Sequence, residues 1–142
     1  MDKLLKLAEE HGEIFEALTF FKKAMSVISR EQTPGQIDDF NKLFRSDVAA
    51  HFKFEENQVF PAVLKGADLR VKKIVRDLQR DHIDILEKLD LFQDRASRPA
   101  SGYEDLDKTA GVAKEIIAMA IKHARKEDTQ LFPLVKKLGI KL

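Results

Sequence analysis

The chain carries one pattern twice: a histidine followed four residues later by a glutamate, in His51-Phe-Lys-Phe-Glu55 and again in His123-Ala-Arg-Lys-Glu127. Each copy runs on to a Phe-Pro pair, ending at Pro61 and Pro133. On an α-helix four residues advance about 400°, which leaves imidazole and carboxylate about 40° apart on one face, close enough to share a metal ion. The two remaining histidines repeat as well, as Glu10-His11 and Asp81-His82. The offset is 71 residues from His11 to His82 and 72 from His51 to His123 and from Glu55 to Glu127.

Four imidazoles and two carboxylates form a nitrogen and oxygen donor set suited to iron, manganese or zinc. Iron is the first expectation, with zinc or manganese as substitutes. The symmetric count implies two metal ions, each held by two histidines, with Glu55 and Glu127 bridging. Protein then fills about four of six positions per ion, leaving places for an oxo or hydroxo bridge and for an outside ligand. A lone histidine on an apolar helix face is ordinarily a satisfied core residue. With roughly three positions in seven facing inward, four histidines all landing there by chance is on the order of 3%. Duplication copies a single accident and weakens that independence. Even so, Glu55 and Glu127 left unpaired in a dry core would cost several kcal/mol, which favours ligation.

The elements that must position these residues are helices. Three breaker clusters, Gln32-Thr-Pro-Gly35, Lys65-Gly-Ala-Asp68 and Ser97-Arg-Pro-Ala-Ser-Gly102, separate four apolar stripes of helical period. The first stripe is Leu4, Leu7, His11, Phe15, Leu18, Phe21, Met25 and Ile28; the second is Ile37, Phe40, Phe44, Val48, His51, Glu55 and Val59. The third reads Val71, Ile74, Leu78, His82, Ile85, Leu89 and Phe92, and the fourth Leu106, Ala113, Ile116, Ala120, His123, Glu127 and Leu131. Every histidine falls in a stripe. Short connections predict an all-α, up-down-up-down four-helix bundle whose halves are two copies of one hairpin related by a pseudo-twofold axis. Pro61 and Pro133, inside helical patterns, predict a kink or stop.

Composition narrows the function. The 142 residues fit one domain, taken as residues 1–142, and 25 Lys+Arg against 24 Asp+Glu give no broad field for nucleic acid or an anionic membrane. The lysine pairs beginning at Lys22, Lys72 and Lys136 read as solvated surface. The absence of cysteine removes disulfides, thiolate metal sites, iron-sulfur clusters and Cys-x-x-Cys-His haem attachment. The N-terminal segment beginning Met1-Asp2-Lys3 has no continuous apolar stretch, and no segment approaches 18 apolar residues, so a soluble cytoplasmic protein is expected. Ferritin-like di-iron bundles use Glu-x-x-His, but three residues before the histidines stand Ala8, Val48, Gln79 and Ala120. The zinc protease pattern His-Glu-x-x-His is absent.

On these residues the chain resembles the hemerythrin-like, or HHE cation-binding, family across nearly its whole length. His11, His51, Glu55, His82, His123 and Glu127 match that family's di-iron ligands, and the Phe-Pro after each glutamate matches its flanking sequence. The resemblance implies a non-haem di-iron centre in a four-helix bundle. Oxygen-carrying members have a fifth histidine in a His-x-x-x-His pair on the third helix, where this chain has Leu78 and Leu86 on either side of His82. They also end with His-x-x-x-x-Asp, and Asp128 lies five residues after His123. Five residues turn about 140°, so Asp128 needs a local π-bulge to share a metal with His123, and the repeat favours Glu127. The chain is therefore more similar to bacterial hemerythrin-like proteins linked to iron-centre repair, nitric oxide or peroxide chemistry, or iron sensing than to a dedicated carrier.

The leading expectation is a non-haem di-iron protein that binds or reduces dioxygen, nitric oxide or peroxide at a carboxylate-bridged centre. The alternative is an iron or oxygen sensing or storage module without turnover, and a purely structural bundle ranks third. The sequence names no catalytic residue and no electron donor. Glu10 and Asp81, about 100° from the histidines they precede, are expected at solvent, with a role behind the ligands as the minor reading. Glu16 and Glu87 are expected to face outward. Phe15, Phe44, Leu78, Leu86 and Ile117 are candidates to wall a dioxygen-sized pocket, although such stripes are ordinarily core. Tyr103 is expected to pack at the start of the fourth helix.

Overall fold

The four apolar stripes become four helices, and the described residues include no strand. The structure, a computed structural model, describes residues 3–98 and 101–142; Met1 and Asp2, and Pro99 and Ala100 of the third breaker cluster, lie outside the described residues. The first helix is Lys3–Ala24 and the third Leu69–Ala96. The second runs through residues 33–65 and the fourth through residues 103–137, both assembled from α-helical segments joined by π-helical turns. Short connections make successive helices antiparallel neighbours in a four-helix bundle.

Local chemistry sets the helix ends. The first breaker falls earlier than expected: the first helix stops at Ala24, leaving Met25 and Ile28 in the connection, and Thr33 to Gly35 open the second helix. Pro34 sits in that first turn, where a missing N–H leaves no intrahelical bond unmade. The connection is tied by Ser29, whose N–H donates to Thr33 Oγ1 at 2.8 Å and whose hydroxyl oxygen accepts from Glu31 and Gln32. Asp68 caps the third helix by accepting the Val71 N–H at 2.9 Å, an arrangement worth about 1 kcal/mol. Gly139, at φ 64°, takes the left-handed conformation that closes the fourth helix.

Neither helix stops at its proline. π-Helical turns at Glu55–Val59 and Glu127–Leu131 directly precede the Phe-Pro pairs, and Pro61 and Pro133 fall in the first turn of the α-segments that follow. Proline removes a donor and crowds the carbonyl four residues back. A wider turn placed just before it relieves that clash and lets the helix continue.

The core is two apolar clusters separated by a polar layer. Leu18, Phe40, Phe44, Phe92 and Ile116 belong to one cluster, and Leu7, Phe60, Leu78, Leu131 and Val135 to the other. Along every helix the metal-type residues fall between them: His11 between Leu7 and Leu18, His51 and Glu55 between Val48 and Val59, His82 between Leu78 and Ile85, His123 and Glu127 between Ala120 and Leu131. Burying each large apolar side chain stabilises by about 1.5–3 kcal/mol, so the two clusters hold the layer between them in register.

Candidate metal centre

The structure brings all six predicted residues together at the middle of the bundle. The four histidines are 2–5% exposed and both glutamates 0%, so their inner atoms are shut off from bulk solvent. His11 Nε2 lies 3.1 Å from His51 Nε2, and His82 Nε2 lies 3.0 Å from His123 Nε2. Glu55 Oε1 is 3.0 Å from His82 Nε2, 3.6 Å from His123 and 3.7 Å from His51. Glu127 Oε1 is 3.1 Å from His123 Nε2 and 3.5 Å from His11. Both carboxylates therefore face imidazoles from both halves of the repeat. Two donors bound to one ion at about 2.1 Å stand roughly 3.0–3.4 Å apart at octahedral or tetrahedral angles, the spacing these nitrogens keep.

The outer ring nitrogens fix which atoms point inward. His11 Nδ1 lies 2.9 Å from Asp128 Oδ1, His51 Nδ1 2.7 Å from Glu10 Oε2, His82 Nδ1 2.8 Å from Glu56 Oε1 and His123 Nδ1 3.1 Å from Asp81 Oδ2. A carboxylate at Nδ1 can only accept, so Nδ1 carries the proton and the Nε2 lone pair is turned toward the centre. Four lone pairs converging at about 3 Å repel unless a cation or shared protons stand among them. Glu55 Oε2 and both Glu127 oxygens are buried without a hydrogen-bond partner, the Glu127 approach to His123 lying off bonding geometry. Buried polar atoms in such a state ordinarily have an ion or water to satisfy them.

Glu10 and Asp81, expected at solvent, are thus half-buried partners of histidines on the neighbouring helix. The sequence signal was their equivalent placement, but only packing shows that each serves the other helix's histidine. The π-turn expected as the condition for Asp128 is present, yet Asp128 engages His11 Nδ1 and leaves the inner position to Glu127. Glu56 was missed. It follows Glu55 as Asp128 follows Glu127, and from the π-turns they occupy both reach the outer ring nitrogen of a buried histidine while staying more than a third exposed. Gln79 Nε2 donates to Glu56 Oε2 at 3.2 Å, and Lys126 Nζ to Asp81 Oδ2 at 3.0 Å.

Burial and hydrogen bonding set the charge states. In the metal-free protein burial opposes ionisation of Glu55, but hydrogen bonds from Nε2 of His123 and His82, which these rings donate when they carry a second proton, and the nearby His51 outweigh it and hold the carboxyl at about 2. Burial likewise works against Asp81, and the bonds from His123 and Lys126 bring it below the ordinary carboxylate range. Burial depresses His51 despite Glu55 and Glu10. The same burial acts on His123, where Asp81 and Glu55 prevail and raise it.

The walls differ from expectation. Phe52 stacks on His82 at 4.1 Å, Phe60 lies stacked on His82 at 5.6 Å, and Phe132 on His11 at 5.9 Å. Of the candidates proposed from sequence, Phe15 meets the His11 ring edge at 6.4 Å. Phe44 and Ile117 belong to one apolar cluster and Leu78 to the other. Leu86 is 39% exposed, at a groove mouth, because its helical position points between the second and third helices. Tyr103 opens the fourth helix but is 52% exposed and does not pack in the core. Glu16 and Glu87 face outward.

No described helix is long and apolar enough to cross a membrane. Neither curated proteins nor solved structures yield a significant match. The family model described as hemerythrin HHE cation binding domain matches residues 3–136, almost the whole chain. With its buried His and Glu groups gathered into two adjoining sets fit for a metal, the chain belongs to the hemerythrin HHE cation binding domain family.

Proposed function

We propose that the chain is a non-haem di-iron protein that binds or reduces a small ligand, dioxygen, nitric oxide or peroxide, at a carboxylate-bridged centre. The observation that carries this reading is the convergence of four imidazole lone pairs on two buried glutamates, three of whose oxygens have no hydrogen-bond partner. His11, His51, Glu55 and Glu127 would hold one ion, and His82, His123 and Glu55 the other. Glu55 would be shared by both ions, and so would Glu127, whose Oε1 stands 3.1 Å from His123 and 3.5 Å from His11. Nitrogen and oxygen donors without thiolate suit iron in either common oxidation state.

When bound, iron supplies electron transfer and open positions for an outside ligand. The chain's own residues do the rest. Asp128, Glu10, Glu56 and Asp81 hold the Nδ1 protons and aim the rings. Phe52, Phe60 and Phe132 exclude water from ring faces. Anaerobic reconstitution with ferrous iron followed by elemental analysis and an optical spectrum tests the reading. Two ions per chain are expected, together with a spectral change on adding nitric oxide. One ion, or none, would overturn it.

A further inference from the structure

We propose that the groove along residues 118–130 of the fourth helix is the docking surface of an acidic one-electron carrier protein, which delivers electrons to the centre past Lys126. Electron delivery rests on the reading of the centre as one that reduces a small ligand; docking stands on the charge of the surface alone. A chain that reduces a ligand must be supplied with electrons, and without cysteine this one has no dithiol of its own to give them.

Charge is the first observation. The groove, about 490 Å³, has Lys22, Lys122, Arg125 and Lys126 in its lining, and no acid lines it. Over the whole chain the charges nearly cancel, 25 Lys+Arg against 24 Asp+Glu, so four cations without an acid among them are a local concentration. At the groove that reaches His51 the sign reverses, with Glu10, Glu13 and Asp47 against Lys6 alone. An anionic protein is thus drawn to one face of the bundle and turned away from another, which fixes its orientation as well as its approach.

Pairing is the second. Among the described residues the side chains of Lys22, Lys122 and Arg125 form no ion pair. Acids of the same helix are engaged elsewhere: Asp128, three residues after Arg125, lies 2.9 Å from His11 Nδ1, and Glu115 pairs with Lys88. Lys22 sits in the last turn of the first helix, where the helix dipole favours a cation. Lys122 and Arg125 have no such reason, because their helix continues to residue 137. Lys122 and Lys126 also stand four residues apart as a like-charged pair, an arrangement that weakens a helix. A partner's carboxylates relieve that repulsion.

Size and route are the third. From Ala118 to Gln130 a helix advances about 18 Å, more than a single phosphate spans, so the face fits carboxylates spread over a protein surface. A lipid surface calls for apolar side chains to insert, and those of the groove are only Ala118 and the half-buried Ile121. Lys126 Nζ, at the groove, donates to Asp81 Oδ2 at 3.0 Å, and His123 Nδ1 donates to the same oxygen at 3.1 Å. Two hydrogen bonds thus join the groove to a buried imidazole of the centre, and a chain of bonded groups carries electrons better than an open gap. At each encounter one electron leaves the reduced carrier for a ferric ion of the centre, which becomes ferrous; no covalent bond forms between the proteins, and two encounters reduce both ions.

The test uses the full iron-loaded chain and, as probe, a plant-type ferredoxin, a small acidic one-electron carrier. Calorimetry with oxidised ferredoxin should show binding at low ionic strength that weakens steeply as salt is added. Lys122→Glu combined with Arg125→Glu should weaken it on the order of tenfold or more, and Lys122→Gln with Arg125→Gln by less. Lys65→Glu, at an exposed cation ending the second helix, should leave it as in the parent. No binding by the parent, equal binding by the charge-reversed chain, an equal loss in Lys65→Glu, or capture of phosphatidylserine vesicles in place of ferredoxin overturns the docking surface. Stopped-flow mixing of the diferric chain with reduced ferredoxin then reads delivery. The charge-reversed chain should be reduced more slowly, by about the factor its binding has lost, whereas photoreduced lumiflavin, small and neutral, should reduce it as fast as the parent. Ferredoxin that reduces both chains at one rate overturns delivery through this groove. A parent centre that neither carrier reduces overturns the ligand-reducing reading itself, whatever calorimetry shows.

Discussion

The His11/His51 and His82/His123 halves of the centre share one plan and differ at its edges. In both, an acid next to the histidine of the odd-numbered helix supports the histidine of the following helix, and the acid after each inner glutamate supports a histidine from the opposite hairpin. That much is the repeat. The edges depart from it: Phe52 stands opposite Ala124 in the duplication, and Asp81 is held by Lys126 at 3.0 Å where Glu10 has Lys6 at 4.0 Å. Duplication thus conserved the inward-facing donors, while each half acquired its own cover and outer charge. The lesson is that a symmetric donor set can present two chemically unequal sides.

The largest expected difference lies in the two glutamates. Glu55 approaches three histidines and Glu127 two, in each case spanning both halves, so Glu55→Gln and Glu127→Gln should each lower occupancy of both ions, Glu55→Gln by more. Elemental analysis and the optical spectrum of each variant read this out, and identical losses would erase the distinction. Asp128→Asn should do less than Glu127→Gln, because Asp128 acts through His11.

Metal should also stabilise the fold, since it binds only when the four helices are assembled. At a hundredfold excess over its dissociation constant an ion adds about 2.7 kcal/mol, which for a chain of this size raises Tm by roughly 5–10 °C. Calorimetry with and without iron should show that rise in the parent chain and a smaller one in His82→Ala. A Tm unmoved at full occupancy would break the coupling.

Next in size are the supporting carboxylates. Asp81→Asn and Glu10→Gln should each weaken metal binding by about 10–100-fold, the usual effect of removing the group that orients a ligating imidazole. Competition with a chelator measures it. Lys126→Ala should cost less than Asp81→Asn, and Lys6→Ala less again, given its longer contact.

The metal-free protein should show the smallest and subtlest contrast, as opposite titrations. His51 should titrate below the ordinary 6.5 and His123 above it, readable by NMR. By linkage, the His123 contribution to stability is complete below pH 6.5 and is lost as pH rises through its folded value. His51 acts the other way: below pH 6.5 the unfolded chain binds a proton that the folded chain excludes, which costs stability. Glu55, at about 2 against an ordinary 4.5, contributes stability present above pH 4.5 and lost as pH falls toward 2. Acid denaturation of metal-free Glu55→Gln should lack that component.

The sequence by itself determined the helices and the inner residues. Every member of the second and fourth stripes is buried, including His51, Glu55, His123 and Glu127, because helical periodicity is a local property and an apolar face must turn inward wherever the helix packs. Duplication, legible as an offset of 71 or 72 residues, paired the halves. The tertiary structure alone decided what stands behind and over the buried histidines. Glu10 supports His51 across 41 residues, Glu56 supports His82 across 26, and Phe52 stacks on a ring from the next helix, contacts set by helix rotation and axial stagger that no spacing within one helix encodes. The π-turns at Glu55 and Glu127 complete that division. Proline marked where each helix had to yield, but only packing around the buried carboxylates determined that it would widen there and continue, burying the first of two successive acids and leaving the second within reach of a histidine's outer nitrogen.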